Sequence, residues 1–159
     1  MKDKIVRVAL SVAAVLLWMS ATPRAWAARC SLEGTTGTYG FTLNGVVILP
    51  TGPVPISAVG RAALAPDGSV SGTEARSVGG GFAEETFTGT YTVNSDCTGS
   101  ATLRFYEAAQ LVRTSILSVV FDNNQRDIRM VQKSLELPNG SFLPVVISVD
   151  AKKIFTEED

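Results

Sequence analysis

Few side chains in this sequence can do chemistry, and the missing ones say as much as those present. The 159 residues contain no histidine and only two cysteines, Cys30 and Cys97. Serine–histidine and cysteine–histidine nucleophiles need an imidazole base, and zinc or copper sites draw on the same two residue types, so these chemistries drop out together. No Gly-x-x-x-x-Gly-Lys loop is present to cradle a phosphate, and no glycine fingerprint opens a helix. The sequence therefore implies neither a metal nor a cofactor.

Three groups of polar residues remain. Arg113 shares parity with Leu117, Val119 and Phe121 in an alternating run. If that parity faces inward, Arg113 either holds the carboxylate of a fatty-acid-like ligand or closes one end by an internal ion pair; otherwise it ends a strand in water. Glu84 and Glu85 are adjacent, so on a strand at most one faces inward. A general acid or base is one reading of them, and a solvated strand start is the plainer one. Asp122 and Asp127 flank Asn123 and Asn124 without the spacing of a calcium loop, and ordinary turn chemistry accounts for them.

These groups must be positioned by strands. Glu85 to Val93 alternates without a slip, with Phe87, Gly89, Tyr91 and Val93 on one face and Thr86, Thr88, Thr90 and Thr92 on the other. Such a period of two marks a strand with one wet and one buried face. Asn94 to Gly99 supplies a turn, and Thr102 to Tyr106 runs back. Tyr39, Phe41 and Leu43 continue the apolar face in the first strand, which opens at Thr35; Asn44-Gly45 then reads as a bulge or turn. Pro50 to Pro55 reads as a loop, because prolines cannot donate to a ladder. Pro66-Asp67-Gly68 predicts a hairpin turn, Gly79 to Gly81 a flexible joint, Asp122 to Gln125 a turn, and Pro138-Asn139-Gly140 another. About eight short strands and no helix result, predicting an all-β, single antiparallel eight-stranded up-and-down barrel of calycin type, with a β-sandwich as the alternative. Closure would remove the exposed edges.

Residues 1–27 read as a signal peptide: Lys2, Lys4 and Arg7, then an apolar run from Val8 to Met19, then Ala25-Trp26-Ala27 as a cleavage site. The run is short of the roughly 20 residues that span a bilayer. The barrel domain is then 28–159, secreted or periplasmic. Of 14 Lys+Arg and 15 Asp+Glu, the leader removes Lys2, Lys4, Arg7, Arg24 and Asp3. The mildly acidic remainder offers no footprint for nucleic acid, and the chain shows no pattern for stable membrane insertion. In an oxidising compartment Cys30 and Cys97 are expected to pair as a structural disulfide, stabilising by roughly 4 kcal/mol. A redox role lacks a Cys-x-x-Cys.

Gly37-Thr-Tyr-Gly-Phe41, with Tyr91-Thr-Val-Asn-Ser-Asp-Cys-Thr-Gly99, resembles a group of small exported bacterial proteins without an assigned activity. The strand layout is similar to lipocalin-like and allene oxide cyclase-like barrels. Gly37-Thr-Tyr39 has the spacing of the lipocalin Gly-x-Trp, with tyrosine in place of tryptophan.

Tyr39, Phe41, Phe87, Tyr91, Phe105, Arg113 and Phe121 are thus the candidate ligand-binding residues, and a small apolar molecule is the expected partner. Simple core is the competing reading of the aromatics. A pocket of ~300 Å³ left unfilled would cost roughly 7 kcal/mol, so the lumen must be filled by side chains, wetted or occupied. Allene oxide cyclase-like or dirigent-like barrels steer a reaction by shape and a few polar groups. An enzyme of that kind, using Arg113, Glu85 and a tyrosine, is the alternative to a non-enzymatic binder, and a surface interaction module is the third.

Overall fold

Strict alternation produces long strands joined by short turns. The computed structural model describes residues 29–154, so the expected signal peptide and the final residues lie outside it. A one-turn helix, α1 (Leu32–Thr35), precedes β1 (Gly37–Leu49), β2 (Gly52–Leu64), β3 (Ser69–Val78), β4 (Gly81–Val93), β5 (Thr98–Glu107), β6 (Gln110–Asp122), β7 (Asp127–Glu136), β8 (Phe142–Leu143) and β9 (Val145–Lys153). Each strand from β1 to β7 pairs antiparallel with the next. β9 then pairs with both β7 and β1. The result is a closed eight-stranded up-and-down barrel, with β8 as a short addition on β7. Closure rules out the sandwich.

Apolar side chains fill the inside. Phe87 and Tyr91 are buried, whereas the intervening Thr88, Thr90 and Thr92 are exposed, as the alternation predicts. This is the reverse of a membrane-spanning barrel, whose outward face is apolar. Two inward glycines shape the interior. A side chain at Gly60 would collide with the Phe41 ring, and one at Gly72 with the Phe87 ring. The rings therefore lie against bare backbone and fill the lumen between them.

Several local expectations change. β1 runs straight through Asn44 and Gly45. Thr35 ends α1 instead of opening a strand; Ser31 caps that turn by accepting a hydrogen bond from the Gly34 amide. Pro53 and Pro55 belong to β2, paired with Ile48 and Val46 of β1. The Pro55 carbonyl accepts from the Gly79 amide, so its ring nitrogen faces the β3 side, where the ladder has already ended at Ile56 and Val78. No ladder donor is lost. Gly79 and Gly80, both at positive φ, form a tight two-residue hairpin turn instead of a loose joint.

The barrel has two unlike ends. At the disulfide end lie α1, the β2–β3, β4–β5 and β6–β7 turns and the close of β9. Cys30 and Cys97 are bonded, with Cα atoms 5.0 Å apart and a sequence separation of 67, and they tie the segment before α1 to the β4–β5 turn. The far end carries the β1–β2, β3–β4 and β5–β6 turns and the β7–β8 connection.

Candidate functional site in the barrel lumen

Every candidate lining residue, namely Tyr39, Phe41, Phe87, Tyr91, Phe105, Arg113 and Phe121, faces one lumenal cavity. Its volume is about 80 Å³. Side chains have thus taken most of the space a larger pocket would need, and at ~24 cal/mol per Å³ the remainder costs only about 2 kcal/mol. The phenylalanines pack as a group across the lumen. Phe41 meets Phe87 edge-on at 6.0 Å between centroids, and Phe87 meets Phe105 at 5.3 Å.

The two tyrosines serve the disulfide end. Tyr39 is fully buried, its hydroxyl 2.9 Å from the Thr35 carbonyl and 2.7 Å from the Gln125 carbonyl. Tyr91 donates to the Ala65 carbonyl at 2.7 Å, and Thr35 Oγ1 lies 3.2 Å from its oxygen. The Ser31 amide donates to Gln125 Oε1 at 2.8 Å. These bonds lock α1 to the β2–β3 and β6–β7 turns, so that end is a plug. Burial pushes the Tyr39 hydroxyl up to about 12 and raises that of Tyr91, which leaves both as neutral donors at ordinary pH.

The polar chemistry sits in the far half. β3 and β4 bring Glu74 directly opposite Glu85, a like-charge pair that is unfavourable without a cation. Arg113 supplies it from β6. Its guanidinium lies 3.8 Å over the Phe105 ring, which forms a shelf across β5, and reaches both carboxylates. Arg113 Nη2 meets Glu74 Oε1 at 2.5 Å and Nη1 donates to Glu85 Oε2. Arg76, partly exposed, closes on the other Glu85 oxygen at 2.5 Å. Glu74, Glu85 and Arg113 are all buried, so the sequence expectation of a solvated Glu85 is corrected. Glu85 shares inward parity with Phe87 and has two arginines to hold its charge. Of the three expectations for Arg113, the internal ion pair is the one found.

Burial raises the Glu74 carboxyl above the ordinary glutamate range, opposed by Arg113 and reinforced by the nearby Glu85. Alongside, the Gln132 amide donates to Ser115 Oγ at 3.0 Å and to the Ser134 carbonyl at 3.1 Å. Glu74, Ser115 and Gln132 went unremarked in the sequence. The signal for Glu74 was present: Val70, Gly72, Glu74, Arg76 and Val78 share one parity against Ser69, Ser71 and Thr73. Gln132 falls at a parity switch. A bulge at Lys133 shifts the register between Ile116 and Leu117, so that Gln132 and Leu135 both face inward.

The proposed enzyme set is only partly assembled. Arg113 and Glu85 meet, whereas the Tyr39 and Tyr91 hydroxyls are engaged at the opposite end. Among the described residues no cluster of three or more acidic or cysteine side chains is placed to hold a metal ion. Asp122 instead pairs with Arg129 at 2.8 Å, and Asn123 Nδ2 donates to Asp127 Oδ2 at 3.2 Å.

No protein family model matches the chain, and no curated protein matches it either. Among solved structures it is similar to a redesigned β-barrel, mFAP1, bound to DFHBI, with a TM-score of 0.50 and 13% identity, covering 77% of this chain and 98% of that one. That likeness is one of fold, and it places the chain among closed antiparallel eight-stranded barrels.

Proposed function

We propose that the chain is an exported barrel that binds a small, neutral, apolar molecule in its lumen. The carrying observation is the cavity of about 80 Å³, walled by phenylalanine and aliphatic side chains and bounded on one side by a charge-balanced ion cluster. Two carboxylates already satisfy Arg113. A ligand carboxylate would bring an unpaired negative charge into a desolvated site, which argues for a neutral guest. The cavity volume restricts the guest to a compact group or a short chain, well below the 300–1,000 Å³ of drug-sized pockets. Larger guests require the half-buried Phe41 or Met130 to move aside. The similar redesigned barrel is bound to DFHBI, which supports the reading. Export is supported by the disulfide and by the leader-like pattern of residues 1–27. The resemblance to small exported bacterial proteins fits the same picture.

The test is to incubate the purified protein with a lipid and small-metabolite extract and identify retained species by native mass spectrometry. A neutral apolar species held one per chain by the wild type, and not by Ala101→Leu, whose added methylenes fill the cavity, is the expected result. Retention unchanged by Ala101→Leu, or no retention at all, would defeat the proposal.

A second reading has one observation in its favour. Glu74 is a buried carboxyl with a raised pKa facing the lumen beside Arg113, the environment of a general acid. It predicts a retained species that Glu74→Gln leaves chemically unaltered and wild type converts.

A further inference from the structure

The far rim differs from the disulfide rim in a way that lumenal binding does not require. Its connections are Pro50-Thr51, Gly79-Gly80, Ala108-Ala109, the stretch from Leu137 to Ser141, and Pro144, and none holds a charged residue. The disulfide rim has Asp67, Asp96 and Arg126 in its turns. Large apolar side chains stand exposed beside the far turns: Phe82 at 69%, Phe142 at 64%, Leu111 at 38% and Ile48 at 37%. Among the described residues, the two exposed phenylalanines are both at this end.

Turn chemistry sharpens the contrast. Both rims contain non-glycine residues at positive φ, a conformation that asparagine tolerates and alanine does not. The disulfide rim uses Asn123 (φ 48°), Asn124 (φ 55°), Gln125 (φ 64°) and the bridged Cys97 (φ 67°), three of the four polar. The far rim uses Ala108 (φ 47°) and Ala109 (φ 64°), where Asn-Gly would relieve the strain. The strained choice keeps the tip free of polar side chains.

We propose that the far rim docks reversibly on an electrically neutral lipid surface, the tips entering to headgroup depth with Phe82 and Phe142 as anchors. Aromatic side chains favour that layer. The turns expose backbone groups that need water, which limits entry to the interface and excludes spanning. Beside the turns, Glu107 and Glu136 are acidic and Arg76 lies 4.0 Å from Glu107, so the rim has no cationic patch for an anionic surface and a zwitterionic one matches it. A ring of projecting turns also suits a yielding surface better than a flat protein face. The proposal is independent of whether the lumen holds a guest.

Cosedimentation with phosphatidylcholine vesicles tests it. Wild type is expected to bind them in a manner insensitive to salt. Phe82→Ser with Phe142→Ser should weaken binding about a hundredfold, or about tenfold per ring. Val59→Ser with Val131→Ser, equally exposed on the barrel wall, should leave it unchanged. Circular dichroism checks that each variant folds. Failure to bind phosphatidylcholine overturns the proposal, as does equal loss in the wall variant. Binding that needs anionic lipid and vanishes at high salt overturns it too. So does a concentration-dependent dimer by light scattering that the rim variant abolishes, since the rim then meets a second copy of the chain.

Discussion

The two ends of this barrel solve the same problem with opposite means. At the disulfide end, the buried polar groups that close the barrel are neutral: tyrosine hydroxyls on backbone carbonyls, a capped helical turn and a covalent bridge. In the far half, two carboxylates and two arginines are gathered from β3, β4 and β6, with one arginine reaching across a phenylalanine ring. Neutral hydrogen bonds to backbone close an end cheaply and rigidly. A buried ion cluster adds little net stability over apolar packing, but it is costly to break and it fixes which side chains meet. The first end closes the barrel with neutral bonds. The second holds the charged groups of the lumen, each paired within the cluster.

The largest expected effect breaks the far half. Arg113→Met leaves Glu74 and Glu85 facing each other, and urea denaturation should show a loss of about 3–5 kcal/mol. Adding Glu74→Gln should recover most of it, since Glu85 then keeps Arg76 as its partner and the set is charge-balanced again. A loss below about 1 kcal/mol would mean that the cluster behaves as surface ion pairs do.

Breaking the other end should cost less and stay local. Cys30→Ser with Cys97→Ser should lower stability by roughly 2–5 kcal/mol, or about 5–15 °C in melting temperature. Hydrogen exchange should quicken first at the Phe121 amide, which donates to the Cys97 carbonyl at 2.8 Å. The far half should keep its protection. Uniform loosening of the whole barrel would erase the distinction between the ends.

A gain is expected at the far rim. Ala108→Asn with Ala109→Gly should raise stability by about 1 kcal/mol or more, because each alanine sits in a left-handed conformation. No gain would show that the turn is not strained. The smallest effect is a slope. Glu74 binds its proton more tightly folded than unfolded, so its contribution is fully present below the ordinary glutamate pKa and is lost as pH rises through the raised folded value. Glu74→Gln should remove that component from a stability–pH profile while changing stability little at low pH.

The sequence showed the strands more clearly than their partners. Period-two alternation in β4 revealed which side chains face inward, because a half-buried strand needs nothing beyond itself to set its parity. Pro53 and Pro55 misled, since a proline harms a ladder only where a neighbour waits for its amide, and β3 stops short of them. The parity switch at Lys133 was hidden, because a bulge depends on register with β6 and β8. Glu85 looked solvated for a related reason. Its neighbours along the chain supply no cation; Arg76 and Arg113 arrive from other strands. Burial of a charge is a property of the assembled barrel and is decided by partners distant in sequence.

Xenon tests the central claim most directly, since it enters dry apolar cavities without polar recognition. A crystal of the protein pressurised with xenon should show one internal site, lined by the Phe87 and Phe105 rings, Leu117 and Ala101, and Ala101→Leu should abolish it. Xenon absent from the lumen, or bound there equally in Ala101→Leu, would contradict an apolar guest site.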